Sequence, residues 1–149
     1  MNLPQSAQDR LRHRLAVANL DAMLVTDLVN VRYLAGFTGS NAALLIRVDD
    51  DTPVLATDGR YRTQAARQVP DAELVIERAC GPQLAARAAA DGVRRLGFES
   101  HVVTVDGYQA LATAAGDTKL VRAPGAVETL REVKDAGEIA ILRPSVLPG

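Results

Sequence analysis

Two short apolar segments lying close together constrain this chain more than any other feature. Ala42 to Val48 (AALLIRV) and Pro53 to Thr57 (PVLAT) are separated only by DDDT, Asp49 to Thr52. Each has strand length, and the gap is too short for a crossover, so the pair must close as an antiparallel hairpin. Everywhere else a helical segment separates one strand from the next. Ser6, with Asp9 at capping-box spacing, opens a helix over about residues 6 to 19; Leu11, Leu15 and Ala18 share one face, and Arg10, Arg12 and Arg14 lie off it. AMLVT (Ala22 to Thr26) is bounded by aspartates and reads as a buried strand. Asp27 to Leu34 reads as a short helical turn, with Leu28, Val31 and Leu34 recurring at helical spacing.

After the hairpin, Asp58 is placed as an N-cap, and Tyr61, Ala65 and Val69 form an apolar face behind it. AELVIE is a strand, and Gly81 and Pro82 start an alanine-rich helix that Gly92 ends. RRLGFES is a strand, Thr104 caps a helix running to Ala115 and ended by Gly116, and KLVRA is a strand. From Val127 the pattern is helical, with a break near Gly137. The order α, β, short α, β, β, α, β, α, β, α, β, α predicts an α/β fold: a mixed, mostly parallel sheet of roughly six strands with helices on its faces. The last helix has no strand left to return to. Residues 1–125 are therefore read as the domain and 126–149 as a connector.

The chain is 149 residues long, enough for one domain with a real core, and its 48% hydrophobic content excludes a disordered chain. Lys+Arg 17 against Asp+Glu 18 leaves a net charge of -1, which points to neither nucleic acid nor an anionic membrane as partner. A single cysteine, Cys80, excludes an internal disulfide and a Cys-based zinc cluster; it reads as a small residue before Gly81-Pro82. The N-terminus has no apolar signal-like region, and no apolar run approaches the ~20 residues of a membrane span. A cytoplasmic location is expected.

Chemistry-bearing groups are sparse. His13 and His101 are the only histidines. His13 sits among arginines and reads as a surface residue; His101, in a strand-to-helix loop, reads as a hydrogen-bonding residue. There is no His-Glu-x-x-His, no Gly-x-Ser-x-Gly elbow, and Gly36-x-x-Gly39 lacks the ending of a phosphate loop. No catalytic group and no metal site is expected in this chain, and DDDT reads as a solvated hairpin tip. Two stretches nonetheless exceed what a core requires. In NVRYLAGFTGSNAALLI (Asn30 to Ile46), the turn Gly36 to Asn41 feeds a strand; Thr38, Gly39, Ser40 and Asn41 form its tip, while Arg32, Tyr33 and Phe37 are residues a bare turn does not need. In TDGRYRTQA, Asp58, Arg60 and Tyr61 stand at the carboxyl end of a strand, where ligands bind in α/β sheets.

NVRYLAGFTGSNAALLI, ATDGRYRTQA, LGFES and VETLREVKDAGEIAILR together resemble the N-terminal creatinase/prolidase domain that precedes the catalytic part of Xaa-Pro aminopeptidases and Xaa-Pro dipeptidases, of the M24 metallopeptidase family. The segments occur in the family's order across about residues 24 to 143. The resemblance implies a mixed α/β sheet with an RNase H-like motif. It also implies an absent C-terminal catalytic domain of pita-bread fold, which holds two divalent metals, commonly manganese, through two Asp, one His and two Glu. In that family the N-terminal domain helps form homodimers or homotetramers. Its loop at the position of Gly36 to Asn41 narrows the entrance for short proline-containing peptides. On that basis Arg32, Tyr33, Phe37, Thr38, Gly39, Ser40, Asn41, Asp58, Arg60 and Tyr61 are expected at the substrate entrance or a subunit contact, with Arg32 a fork donor to a carboxylate. The chain departs from relatives that have Lys-Ser/Thr-Pro-Glu-Glu where it has Lys134-Asp135-Ala136-Gly137-Glu138, and it ends in PSVLPG. The other readings are a stand-alone binding or assembly module of the same fold, and the same domain on a creatinase-type amidinohydrolase.

Overall fold

A computed structural model describes residues 6–132. The elements are α1 (Ala7–Val17), β1 (Ala22–Val25), α2 (Leu28–Ala35), β2 (Ala42–Arg47), β3 (Asp50–Thr57), a 3-10 turn at Gly59–Tyr61, α3 (Arg62–Gln68), β4 (Glu73–Ile76), α4 (Cys80–Ala90), β5 (Arg95–Phe98), α5 (Val105–Ala115) and β6 (Lys119–Arg122). Residues 126–132 are again helical. The expected break near Gly137 lies outside the described residues.

The strands form one six-stranded sheet in the order β4-β3-β2-β1-β5-β6. β2 is antiparallel to both of its neighbours, while the β1–β5, β5–β6 and β3–β4 pairs are parallel. Every strand except β2 therefore points the same way. The carboxyl ends of β1, β3, β4, β5 and β6 and the amino end of β2 all lie on one edge of the sheet, and this shared edge positions everything below.

Side chains alternate between two cores, as a strand pleat requires. Met23, Val25, Leu44, Ile46 and Leu55 pack under α1 and α2 with Leu11, Leu15, Val31 and Leu34, and Val127 and Leu130 of the final helix join them. Ala22, Leu24, Ala43, Leu45, Val54 and Leu96 pack on the other face under Leu84, Ala88, Leu111 and Ala115 of α4 and α5. The central strands are buried on both faces, which is why their sequences are continuous apolar runs.

The structure corrects three local expectations. Asp27 to Leu34 is a true helix, capped by the Asp27 side chain at Val29 N and closed by Gly36 in the left-handed region at φ 81°. DDDT is not the hairpin loop: the turn is at 48–49, and Asp50 to Thr52 already belong to β3. Arg47 holds the register there by pairing with Asp50 at 3.4 Å and donating to Thr52 O at 2.9 Å. Arg12 turns inward, because its guanidinium caps two hairpin carbonyls, Arg47 O at 3.0 Å and Asp51 O at 2.9 Å.

Candidate functional site

Two polar clusters occupy the shared edge. The first is built on the β2–β3–β4 half. Asn41 enters β2 and its amide donates to Asp58 Oδ2 at 3.0 Å and to Arg78 O at 3.1 Å. Asp58 follows β3 and caps the 3-10 turn through Arg60 N; its carboxylate also takes a fork from Arg60, Nε at 2.9 Å and Nη2 at 3.0 Å. The Arg60 fork, then the Asn41 amide, hold the Asp58 carboxyl well below its usual range, and the same fork raises Arg60. The Arg60 guanidinium lies 5.1 Å from the Tyr61 ring centroid, and Tyr61 Oη shares a 2.6 Å hydrogen bond with Ser40 Oγ that lowers the phenol. Thr38 is fixed to α3: Gln68 Oε1 accepts from Thr38 N at 3.0 Å, and Gln64 and Gln68 both donate to Thr38 Oγ1. An open pocket of about 830 Å³ lies between Ser40, Asn41, Asp58, Arg60, Glu77 and Arg78. Behind it Cys80 donates to Glu77 O at 3.2 Å, and burial, with the Asp58 charge next, pushes its thiol up to about 11.

The structure thus joins Ser40, Asn41, Asp58, Arg60 and Tyr61 in one set, and holds Thr38 in a second with Gln64 and Gln68. The other candidates sit differently. Phe37 is only 1% exposed and meets Tyr61 edge-to-face at 5.9 Å, so it is the floor of the loop rather than its rim. Gly39 lies directly over that ring: a Cβ there would come within 2.4 Å of Phe37 Cζ. Tyr33 is pinned to α1, its hydroxyl accepting from Arg10 Nη2 at 2.8 Å. Arg32 is exposed on α2, outside the bonded set. Gln64 and Gln68 are members that sequence reasoning missed; their spacing on α3 was the available signal.

The second cluster sits on the β1–β5 half and centres on Glu99, which is 1% exposed. Glu99 Oε1 accepts from Thr26 N at 2.7 Å and Asp27 N at 2.8 Å, and Oε2 accepts from Asn30 Nδ2 at 2.7 Å. Asn30 Nδ2 also donates to Glu128 Oε2 at 3.0 Å, while Asn30 Oδ1 accepts from Arg131 at 2.9 Å. His101 Nε2 stands 2.7 Å from Glu128 Oε2. Burial pushes the Glu99 carboxyl up despite its N–H donors. Burial also opposes the ionised Glu128, yet the bonds from His101 and Asn30 hold it below its usual range. Ligand atoms of Glu99, His101 and Glu128 lie within 4.8 Å of one another, the one such grouping among the described residues, but each of these side chains is engaged in the hydrogen bonds just given. His101 is the hydrogen-bonding residue expected from the sequence; Asn30, Glu99, Glu128 and Arg131 were not singled out by it.

No helix among the described residues is long and apolar enough to cross a membrane. Residues 8–133 match the family described as the creatinase/prolidase N-terminal domain. The chain is 62% identical to the N-terminal domain of the cytoplasmic peptidase PepQ from Mycobacterium tuberculosis, with a TM-score of 0.82, covering 84% of this chain and 98% of that one. It is 32% identical to a Xaa-Pro dipeptidase from Bacillus anthracis, TM-score 0.75, covering 84% of this chain but 35% of that one. Among curated proteins it is 36% identical over 135 residues to the uncharacterized peptidase YqhT of Bacillus subtilis, covering 90% of this chain and 38% of the relative. The chain therefore spans little more than a third of the length of that curated relative.

Proposed function

Because this chain belongs to the creatinase/prolidase N-terminal domain family, we propose that it is the non-catalytic N-terminal domain of a cytoplasmic, proline-specific metallopeptidase, an Xaa-Pro aminopeptidase or dipeptidase, and that it acts in subunit assembly and in narrowing the active-site entrance. The relatives named for such activities support the parent's class, and the PepQ relative is named as cytoplasmic. Peptide hydrolysis and its two divalent metals belong to the remainder of the parent. The described residues do not fit a two-metal centre: Glu99, His101 and Glu128 are three groups with no aspartate among them, and Glu99 already accepts three N–H bonds through its two oxygens.

The observation that carries the gating role is the bracing of the loop Gly36 to Asn41. Phe37 supports it from beneath, α3 holds Thr38, Tyr61 holds Ser40, and Asp58 holds Asn41. A loop meant only to connect α2 to β2 does not need four separate restraints. A loop that must exclude long peptides does, because steric selection requires a wall that does not yield.

The test is made in the full-length parent. Asn41→Ala removes the bonds to Asp58 and Arg78, and Arg32→Ala removes the exposed guanidinium. We expect several-fold changes in the ratio of kcat/KM between short and longer Xaa-Pro peptides, or a change in oligomer size, with bound metal unchanged. If both variants keep the parent's length preference and oligomer size, the gating and assembly roles fall.

A further inference from the structure

The second half of the sheet edge leaves large apolar side chains in solvent. The large hydrophobics exposed among the described residues are Val17, Leu28, Val29, Val102, Val105 and Tyr108. Leu28 and Val29 open α2 just after β1, Val102 lies in the loop after β5, and Val105 and Tyr108 stand at the start of α5. These strands are parallel neighbours, with Leu24 opposite Phe98, so the segments leaving them emerge side by side. Glu99 ties the two segments together through Thr26, Asp27 and Asn30. Single exposed apolar residues are ordinary on a protein surface; here five gather along one sheet edge, two where α2 begins on one face and three towards α5 on the other. An open groove of about 380 Å³ adjoins it, lined by Phe98, Val103, Val105, Tyr108, Leu120 and Arg122.

The chain leaves the described domain from this same place. Ala123 N donates to Phe98 O as β6 ends, and the helix that follows is fixed by Glu128 and Arg131 to Asn30 and by Glu128 to His101. We infer that Leu28, Val29, Val102, Val105 and Tyr108 form the docking surface for the domain that follows this segment in the longer relatives. The inference rests on the two-part parent argued above. The occupant follows from length and position. The chain matches an N-terminal domain and covers only 35% of the B. anthracis dipeptidase, so the remainder of such a protein follows the outgoing helix. A domain tethered by a helix seated beside the patch meets that patch at high effective concentration; a second copy of the chain has no such advantage. The partner surface is apolar, with polar groups at its border to meet His101 and Arg122.

Val105 and Val17 provide a matched pair, since both are 76% exposed. Val105→Cys and Val17→Cys are made in this chain and in the full-length parent, and N-ethylmaleimide labelling is followed by mass spectrometry; buried Cys80 is common to all forms. In the isolated chain the two should react at similar rates. In the parent, Val105→Cys should slow at least ~10-fold relative to Val17→Cys. Equal labelling of both in the parent overturns the inference. So does slow labelling of Val105→Cys in the isolated chain that recovers on dilution, which would assign the patch to a second copy. A parent that cleaves Xaa-Pro peptides yet leaves Val105→Cys reactive sinks the docking surface alone, whereas a parent without a peptidase half sinks both readings.

Discussion

Replacing Glu99 by glutamine changes one atom of a buried side chain and disturbs three hydrogen bonds. Glu99 Oε1 takes the N–H groups of Thr26 and Asp27, and Oε2 takes Asn30 Nδ2. In Glu99→Gln the amide oxygen can keep both backbone donors, but as neutral bonds, each weaker by about 1 kcal/mol than bonds to a carboxylate. The new NH2 then faces the NH2 of Asn30. Asn30 cannot flip without surrendering Arg131, which donates to its Oδ1. One donor is left unmade, at about 1–3 kcal/mol. Against this stands relief from burying a charge, the effect that pushes the Glu99 carboxyl above its usual range. The net expectation is a loss of about 1–3 kcal/mol for Glu99→Gln and about 3–5 kcal/mol for Glu99→Ala, which orphans every donor and leaves a cavity. Urea unfolding followed by circular dichroism measures both. The sign of the pH dependence is fixed by the direction of the shift. A raised carboxyl binds its proton more tightly in the native state, so its contribution is full below the ordinary value of 4.5 and is lost as pH rises through the folded value. Glutamine does not titrate, and Glu128 titrates oppositely but in both proteins. The penalty of Glu99→Gln should therefore be larger near pH 5 than near pH 7. Equal stability of Glu99→Gln and wild type at both, or a penalty that grows with pH, would refute this account of the cluster.

Gly39→Ala should cost about 1–3 kcal/mol, because its Cβ would strike the buried Phe37 ring, whereas Gly59→Ala, with nothing within 4 Å, should change stability by under about 1 kcal/mol. Thermal melts of the two variants decide it, and equal shifts would mean the Phe37 floor yields freely. Cys80, its thiol pushed up to about 11, should hold ~200-fold less thiolate at pH 8 than an ordinary cysteine; the greater nucleophilicity of a basic thiolate returns ~10-fold, so alkylation should run at least ~10-fold slower than on a free thiol and recover fully in denaturant. Labelling at the free-thiol rate in the folded chain would contradict the burial.

The parts of this structure that were legible in the sequence are those set by near neighbours along the chain. The hairpin itself was legible, and it is what brings Asn41 and Asp58, 17 positions apart, within one hydrogen bond, although the misplaced turn left that pairing unread. The alternation of short apolar runs with helices gave a mixed sheet, because central strands buried on both faces cannot carry polar residues. Phe37, grouped by the sequence with its loop, is buried instead, because Tyr61 packs beside it and the missing Cβ of Gly39 leaves room for its ring. Arg12, off the apolar face of α1 in the sequence, turns inward because the hairpin carbonyls it caps lie on another element. Of the Glu99 cluster only His101 was legible, as a hydrogen-bonding residue; its partners were not. Apart from His101–Glu128, 27 positions apart, the cluster's bonds join residues 69 to 101 positions apart, and those exist only because β5 lies beside β1 rather than beside β4. Yet the four segments that carry the family resemblance are the ones that meet here. Asn30 and the loop come from the first, Asp58 to Tyr61 from the second, Glu99 from the third, and Glu128 and Arg131 from the fourth. A core alone would draw its distinctive residues from strand and helix interiors. These converge instead on one edge of one sheet, with the braced loop at one end and the outgoing helix at the other. The edge, more than the interior, is where the segments of the resemblance leave their polar residues, and it is the face on which the proposed docking surface lies.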